Sequence, residues 1–218
     1  ATEGSTIAGH VTLDGAGTPR RDAIEFSPIA FDPDVSPFGM GNVARAEIRD
    51  DWTFELKGIS GPRRLRLVAA PDGWALKAIL AHGIDVTDAI LPFGTAAQSI
   101  PDLELVLTDR ITRLVGAVGD RRGQSVSGYT CVVFATDRDK WYPGSRFVGI
   151  AEPKADRTFE VQGMPVGEYF AAALEDAPDE GGDAWRDPAF LETLTSRASR
   201  VMLTEGLTAS VNLRLIIR

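Results

Sequence analysis

The chain has 218 residues, 31 acidic and 23 basic side chains and a net charge of −8, a length that suits one large domain or two of about a hundred residues each. Its 44 % apolar content supports ordinary cores and excludes a disordered chain. The negative balance repels a polyphosphate backbone, so nucleic acid is not an expected partner.

The single cysteine, Cys131, has no partner for an intramolecular disulfide. Its place in the apolar run "CVVFA" reads as a buried, inert thiol. No apolar stretch approaches the ~18 residues that a membrane-spanning helix needs, so no span is expected in this chain.

In chain order, the first element is "STIAGHVTLDGAG", a strand that runs into a glycine-bearing turn. A similar segment, "TRLVGAVGDRRGQ", recurs in the second half and places Gly116 where the first has Gly9. Glycine inside a strand marks a bulge or a close backbone approach. "AIEFSPIAF" from Ala23 and "YTCVVFA" from Tyr129 follow, two nearly unbroken apolar runs of the kind found in central strands.

Next come "DWTFELKG" from Asp51 and "DRTFEVQG" from Asp156, which spell the same pattern twice. Period-two alternation turns Phe54 and Leu56 inward, like Phe159 and Val161, and turns Thr53, Glu55 and Lys57 outward. After Gly58 or Gly163 a short turn leads to a second strand. There Leu65, Leu67 and Ala69 match Tyr169, Ala171 and Ala173 as inward residues, and each pair of strands is expected to form a β-hairpin.

The halves close on "DLELVLT" and "SVNLRLI", with Leu103, Leu105 and Leu107 alternating like Val211, Leu213 and Leu215. One helix is expected near 188–198, with Asp187 as N-cap, Pro188 at the first helical position and Phe190, Leu191, Leu194 and Ala198 on one face. The fold expected is therefore all-β. Two antiparallel sandwiches stand in tandem, residues 1–109 and 110–218, with one short helix in the second.

These segments resemble the carboxypeptidase regulatory-like domains, a prealbumin-like, Ig-like branch of β-sandwiches. In the second half Gly116, Val118, Gly123, Phe159, Pro165, Gly167, Tyr169, Val211, Leu213 and Leu215 carry the likeness. The first half departs from it, with "GISGPRRL" in place of the "GMPVGEY" turn and Leu65 where Tyr169 stands. The resemblance implies a non-catalytic, exported interaction module of a cell-surface, periplasmic or extracellular assembly. Related pilin and adhesin sandwiches cross-link a first-strand lysine. Neither half has one, so no such bond is expected.

The chemistry-bearing residues point the same way. His10 and His82 stand in no HExxH or triad-like setting, and neither a GxSxG elbow nor a P-loop occurs. No catalytic residue, cofactor or metal is expected. The acidic loops around Asp32 and Asp34 and from Asp176 through Asp179, Glu180 and Asp183 to Asp187 read as solvated charge and a helix cap in preference to a Ca²⁺ site.

The expected partner is another protein or another copy of the chain, recruited at an open sheet edge, with the first strand as the leading candidate. The alternative is carbohydrate. Trp141, Tyr142 and Arg146 in "TDRDKWYPGSRF", with Trp185 in "GGDAWRDP", would form a ring-stacking face. Trp74 reads as a core strand residue.

The register assigned here makes a direct prediction. Phe159→Ala should cost roughly 3–5 kcal/mol in urea denaturation, the loss for a buried aromatic ring, whereas a loss below about 1 kcal/mol would put that residue at the surface.

Overall fold

The computed structural model describes residues 4–30, 45–93, 98–175 and 184–217. The chain divides into two compact units, Ala1–Arg110 and Ile111–Arg218. Each is a β-sandwich.

In the first unit the strands are β1 (Ser5–Asp14), β2 (Glu25–Ala30), β3 (Thr53–Ile59), β4 (Gly61–Ala69), β5 (Ala75–Ala81), β6 (Ile84–Asp85), β7 (Leu91–Phe93) and β8 (Ser99–Thr108). One sheet has the order β3-β1-β8-β5-β6 and the other β2-β4-β7. The facing residues bury one core, in which Phe26 and Phe54 meet edge to face at 5.3 Å and Leu65, Leu103, Leu105 and Leu107 are fully enclosed.

The second unit contains β9 (Arg113–Gly119), β10 (Thr130–Ala135), β11 (Val148–Ala151), β12 (Thr158–Gln162), β13 (Gly167–Leu174), α1 (Pro188–Leu194), β14 (Ser199–Leu203) and β15 (Thr208–Ile216). Strands β12-β9-β15 form one layer and β11-β10-β13 with β14 the other. They join where the end of β15 swings across to pair with Ala173 and Leu174 of β13.

Five expectations change. The pairing is not antiparallel throughout, because the first and last strands of each unit lie side by side in parallel, β1 with β8 and β9 with β15. Bringing the two ends of a sandwich into one sheet sets that direction, and alternation along a strand carries no information about it.

The repeated segments are not hairpins. β3 pairs with β1 whereas β4 pairs with β2 and β7, and β12 pairs with β9 whereas β13 pairs with β10, β14 and β15. The turn after Gly58 or Gly163 therefore carries the chain from one sheet to the other. Both glycines have positive φ, +76° and +75°, a conformation that side chains disfavour. A hairpin and a crossing arch bury the same alternate residues, so periodicity cannot separate them.

Leu67 is only half-buried and Ala69 is exposed, although Leu65 is fully enclosed. The register slips between Glu25 and Phe26, and this irregularity lifts the end of β4 out of the core alternation. In the second unit Tyr169, Ala171 and Ala173 all lie in the core as expected.

The helix ends at Leu194, because the chain must be extended again at Ser199 to pair with β13. Asp187 caps it, accepting from the Ala189 amide at 2.7 Å. Trp74 lies in the turn before β5, half-buried against the core, and not in a strand.

The matched glycines explain how each unit closes. A Cβ on Gly9 would sit 1.9 Å from the Leu103 carbonyl oxygen, and one on Gly116 would sit 2.1 Å from the Val211 carbonyl oxygen and 2.7 Å from the Phe159 ring. Backbone cannot yield as a flexible side chain can. Gly116→Ala should therefore destabilise the chain by about 1–3 kcal/mol or more, the range for overpacking a tight site. Gly128→Ala, with nothing within 4 Å of the added carbon, should stay close to wild type in the same urea titration.

Candidate functional site

The repeated "DxTFE" segment builds the same loop twice. The Thr53 amide and hydroxyl donate to Asp51 Oδ1 at 3.1 and 2.7 Å, and those of Thr158 donate to Asp156 Oδ1 at 3.0 and 2.6 Å. The residue between them, Trp52 or Arg157, is left-handed at φ 65° or 66°. The loop closes as the Arg49 amide donates to the Thr53 carbonyl at 2.9 Å and the Lys154 amide to the Thr158 carbonyl at 2.7 Å. The glutamate of the motif then meets the same base, Arg49 with Glu55 at 3.5 Å and Lys154 with Glu160.

The chemistry that recurs in both copies is thus turn formation and an ion pair on an outer strand. Threonine donation holds the Asp51 and Asp156 carboxyls below the usual carboxylate range, and Lys154 does the same for Glu160.

The two tryptophans of the face expected for carbohydrate are withdrawn from solvent. The outer surface of β10 and β13 carries Val132, Phe134, Phe170, Ala172 and Leu174, and these apolar residues need a cover. Trp141 and Trp185 supply it together with Leu191 and Leu194, and the two indoles are 4 % and 8 % exposed. Trp141 Nε1 donates to the Ala135 carbonyl at 2.7 Å, and its ring meets Phe134 edge to face at 5.4 Å. Tyr142 and Arg146 are half-buried. A loop tryptophan is drawn in wherever the sheet behind it is apolar on both faces, and "YTCVVFA" is the sequence signal for such a sheet.

Cys131 lies in the inner core, where burial pushes its thiol up to about 12. Asp32, Asp34, Asp176, Asp179, Glu180 and Asp183 fall outside the described residues, and Asp187 serves as the cap of α1. Among the described residues no cluster of His, Cys, Asp or Glu could hold a metal ion, and no helix is long and apolar enough to cross a membrane. An open groove of about 570 Å³ in the first unit is lined by Arg20, Arg21 and Arg45. Each guanidinium meets a carboxylate there, Asp22, Asp50 and Glu25 respectively, so the groove offers an anion no unmatched charge.

What remains are the sheet edges. The first strand is not one of them, since β1 is paired on both sides, by β3 and by β8. The outer strands are guarded in different ways. On β3, Glu55 pairs with Lys57 at 3.1 Å; on β12, Glu160 pairs with Lys154 and lies 3.6 Å from Arg113. β2 contains Pro28, β7 contains Pro92, and β6 has only two residues. β14 carries Arg200, whose guanidinium lies 5.3 Å from the Phe170 ring centre. Strand β11 reads Val-Gly-Ile-Ala, with no charge and no proline, and Ile150 on it is 41 % exposed.

No protein-family model and no curated protein matches the chain. Among solved structures, the Bacillus anthracis TIE protein is 10 % identical at a TM-score of 0.29, covering 99 % of this chain and 34 % of its own. The minor pilin GBS52 of Streptococcus agalactiae is 9 % identical at a TM-score of 0.36, covering 96 % of this chain and 94 % of its own. A dioxygenase domain from Streptomyces sp. SirexAA-E is 17 % identical at a TM-score of 0.28, covering 50 % of this chain and 80 % of its own. This chain thus spans about a third of the length of the TIE protein it matches.

The lowered carboxyls Asp51, Asp156 and Glu160, together with Asp14 and Asp22, which Lys77, Arg110 and Arg20 also hold low, set a pH dependence. A carboxyl whose folded value lies below its unfolded one adds stability above the unfolded value, and that contribution is lost as pH falls through the folded value. The urea midpoint should therefore drop as pH falls below about 4, the ordinary carboxylate range. Thr158→Val, which removes the hydroxyl donor to Asp156, should flatten that acid-side slope. An unchanged slope would show that the turn does not hold the carboxyl down.

Proposed function

We propose that the chain is a pair of carboxypeptidase regulatory-like sandwich modules, residues 1–109 and 110–218, that serves a non-catalytic structural role in an exported, cell-surface or extracellular assembly. The observation that carries this reading is what the recurring residues do. Asp51 and Asp156 form turns, Phe54 and Phe159 fill cores, Glu55 and Glu160 sit in ion pairs on outer strands, and Gly58 and Gly163 steer the crossing between sheets. All of this builds a sandwich with outer strands. Such strands give a sheet protein its route to partners, because unpaired N–H and C=O groups accept another strand without any reactive side chain.

The family assignment draws its support from the second unit. There the Tyr169 hydroxyl donates to the Pro165 carbonyl at 2.7 Å, which ties together the two residues of the "GMPVGEY" turn that the resemblance emphasises. In the first unit Leu65 fills the same inward place with hydrocarbon alone.

Export is the part of this reading most open to direct test. Antibody raised against the 218-residue chain should label intact cells that express it, and protease added outside those cells should remove the signal. Labelling that appears only after lysis would overturn the assignment to the cell exterior.

A further inference from the structure

We propose that two copies of the chain associate through β11, pairing antiparallel about a two-fold axis at Gly149, an inference that deepens the reading of the chain as an interaction module and rests on it. Four observations converge on this edge.

The first is that β11 lacks the devices that guard the other outer strands, having neither charge nor proline within Val148–Ala151. The second is the direction of its free hydrogen-bonding groups. β11 runs antiparallel to β10 with Val133 opposite Gly149 and Phe134 opposite Val148, and the Ala135 amide donates to the Phe147 carbonyl at 3.0 Å. In an antiparallel ladder hydrogen-bonded pairs alternate, so Gly149 and Ala151 spend their amides and carbonyls on β10. Val148 and Ile150 direct theirs outward.

The third observation is that a two-fold axis at Gly149 then places Val148 of one copy opposite Ile150 of the other, and the reverse. Each of these pairs can exchange two backbone hydrogen bonds. The axis itself falls on a non-hydrogen-bonded pair, in which the Cα atoms approach to about 4.5 Å, and glycine has no side chain to oppose that approach. Val148 and Ile150 share the sheet face of their partners Phe134 and Val132, so pairing extends the apolar outer layer and covers Ile150.

The fourth is charge complementarity. The segment reads Arg146-Phe-Val-Gly-Ile-Ala-Glu152, with Arg146 in the turn just before β11 and Glu152 just after it, and the same axis brings the Arg146 end of each copy to the Glu152 end of the other. Glu152 is exposed and makes no ion pair among the described residues. Parallel pairing, or a register shifted by two residues, loses this match. The contact is isologous and closes on itself, which yields a dimer and not a fibre.

Sedimentation velocity of the full chain over a concentration series tests the proposal. A monomer–dimer equilibrium is expected. Ile150→Lys should weaken it by about tenfold or more by placing a charge on the shared edge. Arg146→Glu gives a copy with two acidic ends and Glu152→Arg a copy with two basic ends. Each should weaken its own dimer by about tenfold or more, since like charges then face each other, and mixing the two should restore association.

The mixing step keeps the test sound if Ile150→Lys unfolds, which circular dichroism would reveal. A chain that stays monomeric at about 1 mM overturns the proposal, as does a dimer indifferent to the charge reversals or a mixture that fails to recover. A monomer whose antibody still labels intact cells would refute this interface and leave the exported module standing.

Discussion

In each unit the first and last strands lie side by side with a glycine of one pressed against a carbonyl of the other, and most of the architecture depends on that seam. Gly9 lies against the Leu103 carbonyl and Gly116 against that of Val211, at separations that leave no volume for even one added carbon. Parallel pairing of those strands brings the beginning and the end of a unit of roughly a hundred residues into one sheet, so that each unit closes without help from outside. With that seam made, the strand on the far side of the first strand, β3 or β12, becomes an outer strand. Leu103, Leu105 and Leu107 in one unit and Leu213 in the other are held facing the opposite sheet.

The crossing arch is the second dependent element. It starts from a turn whose geometry is enforced locally, by an aspartate that accepts both the amide and the hydroxyl of the threonine two residues on. It ends on a glycine with positive φ. Between them the strand contributes one large aromatic ring to the core and one carboxylate to an outer ion pair, so eight residues, Asp51 to Gly58 or Asp156 to Gly163, link turn, core, edge protection and sheet exchange. A segment that serves four structural purposes has little freedom to serve a chemical one. This is the physical ground for reading the repeat as scaffold.

The two units diverge in what they add to this frame. The first extends its β3-β1-β8 sheet with β5 and β6, whereas the second places α1 and two tryptophans over the outer face of β10 and β13. The second unit therefore buries one sheet on both faces, and its outer strand β11 continues that doubly covered sheet to an uncharged edge. The edge proposed for pairing follows from this packing. An edge becomes adhesive where neither charge, nor proline, nor shortness blocks it, and which edge that is depends on how the rest of the sheet is covered.

Much of this was legible in the residues alone. Alternation identified Phe54, Leu56, Phe159, Val161, Leu105 and Leu213 as inward, Asp187 and Pro188 marked the start of the helix, and the matched glycines signalled a close approach, because each of these is a local property of backbone geometry or of one side chain. The candidate site was less legible. The first strand carries no mark of being interior, the hairpin and the arch share one burial pattern, and Trp141 and Trp185 read as exposed because their sequence neighbours are polar. Strand partners, strand direction and the cover over a sheet arise from contacts between residues far apart in the chain. Sequence by itself determined which residues turn inward and where the chain bends; only the tertiary structure decided which strands meet, which edge is left open and which rings are withdrawn from solvent, since those depend on surfaces that exist only once the sheets have closed.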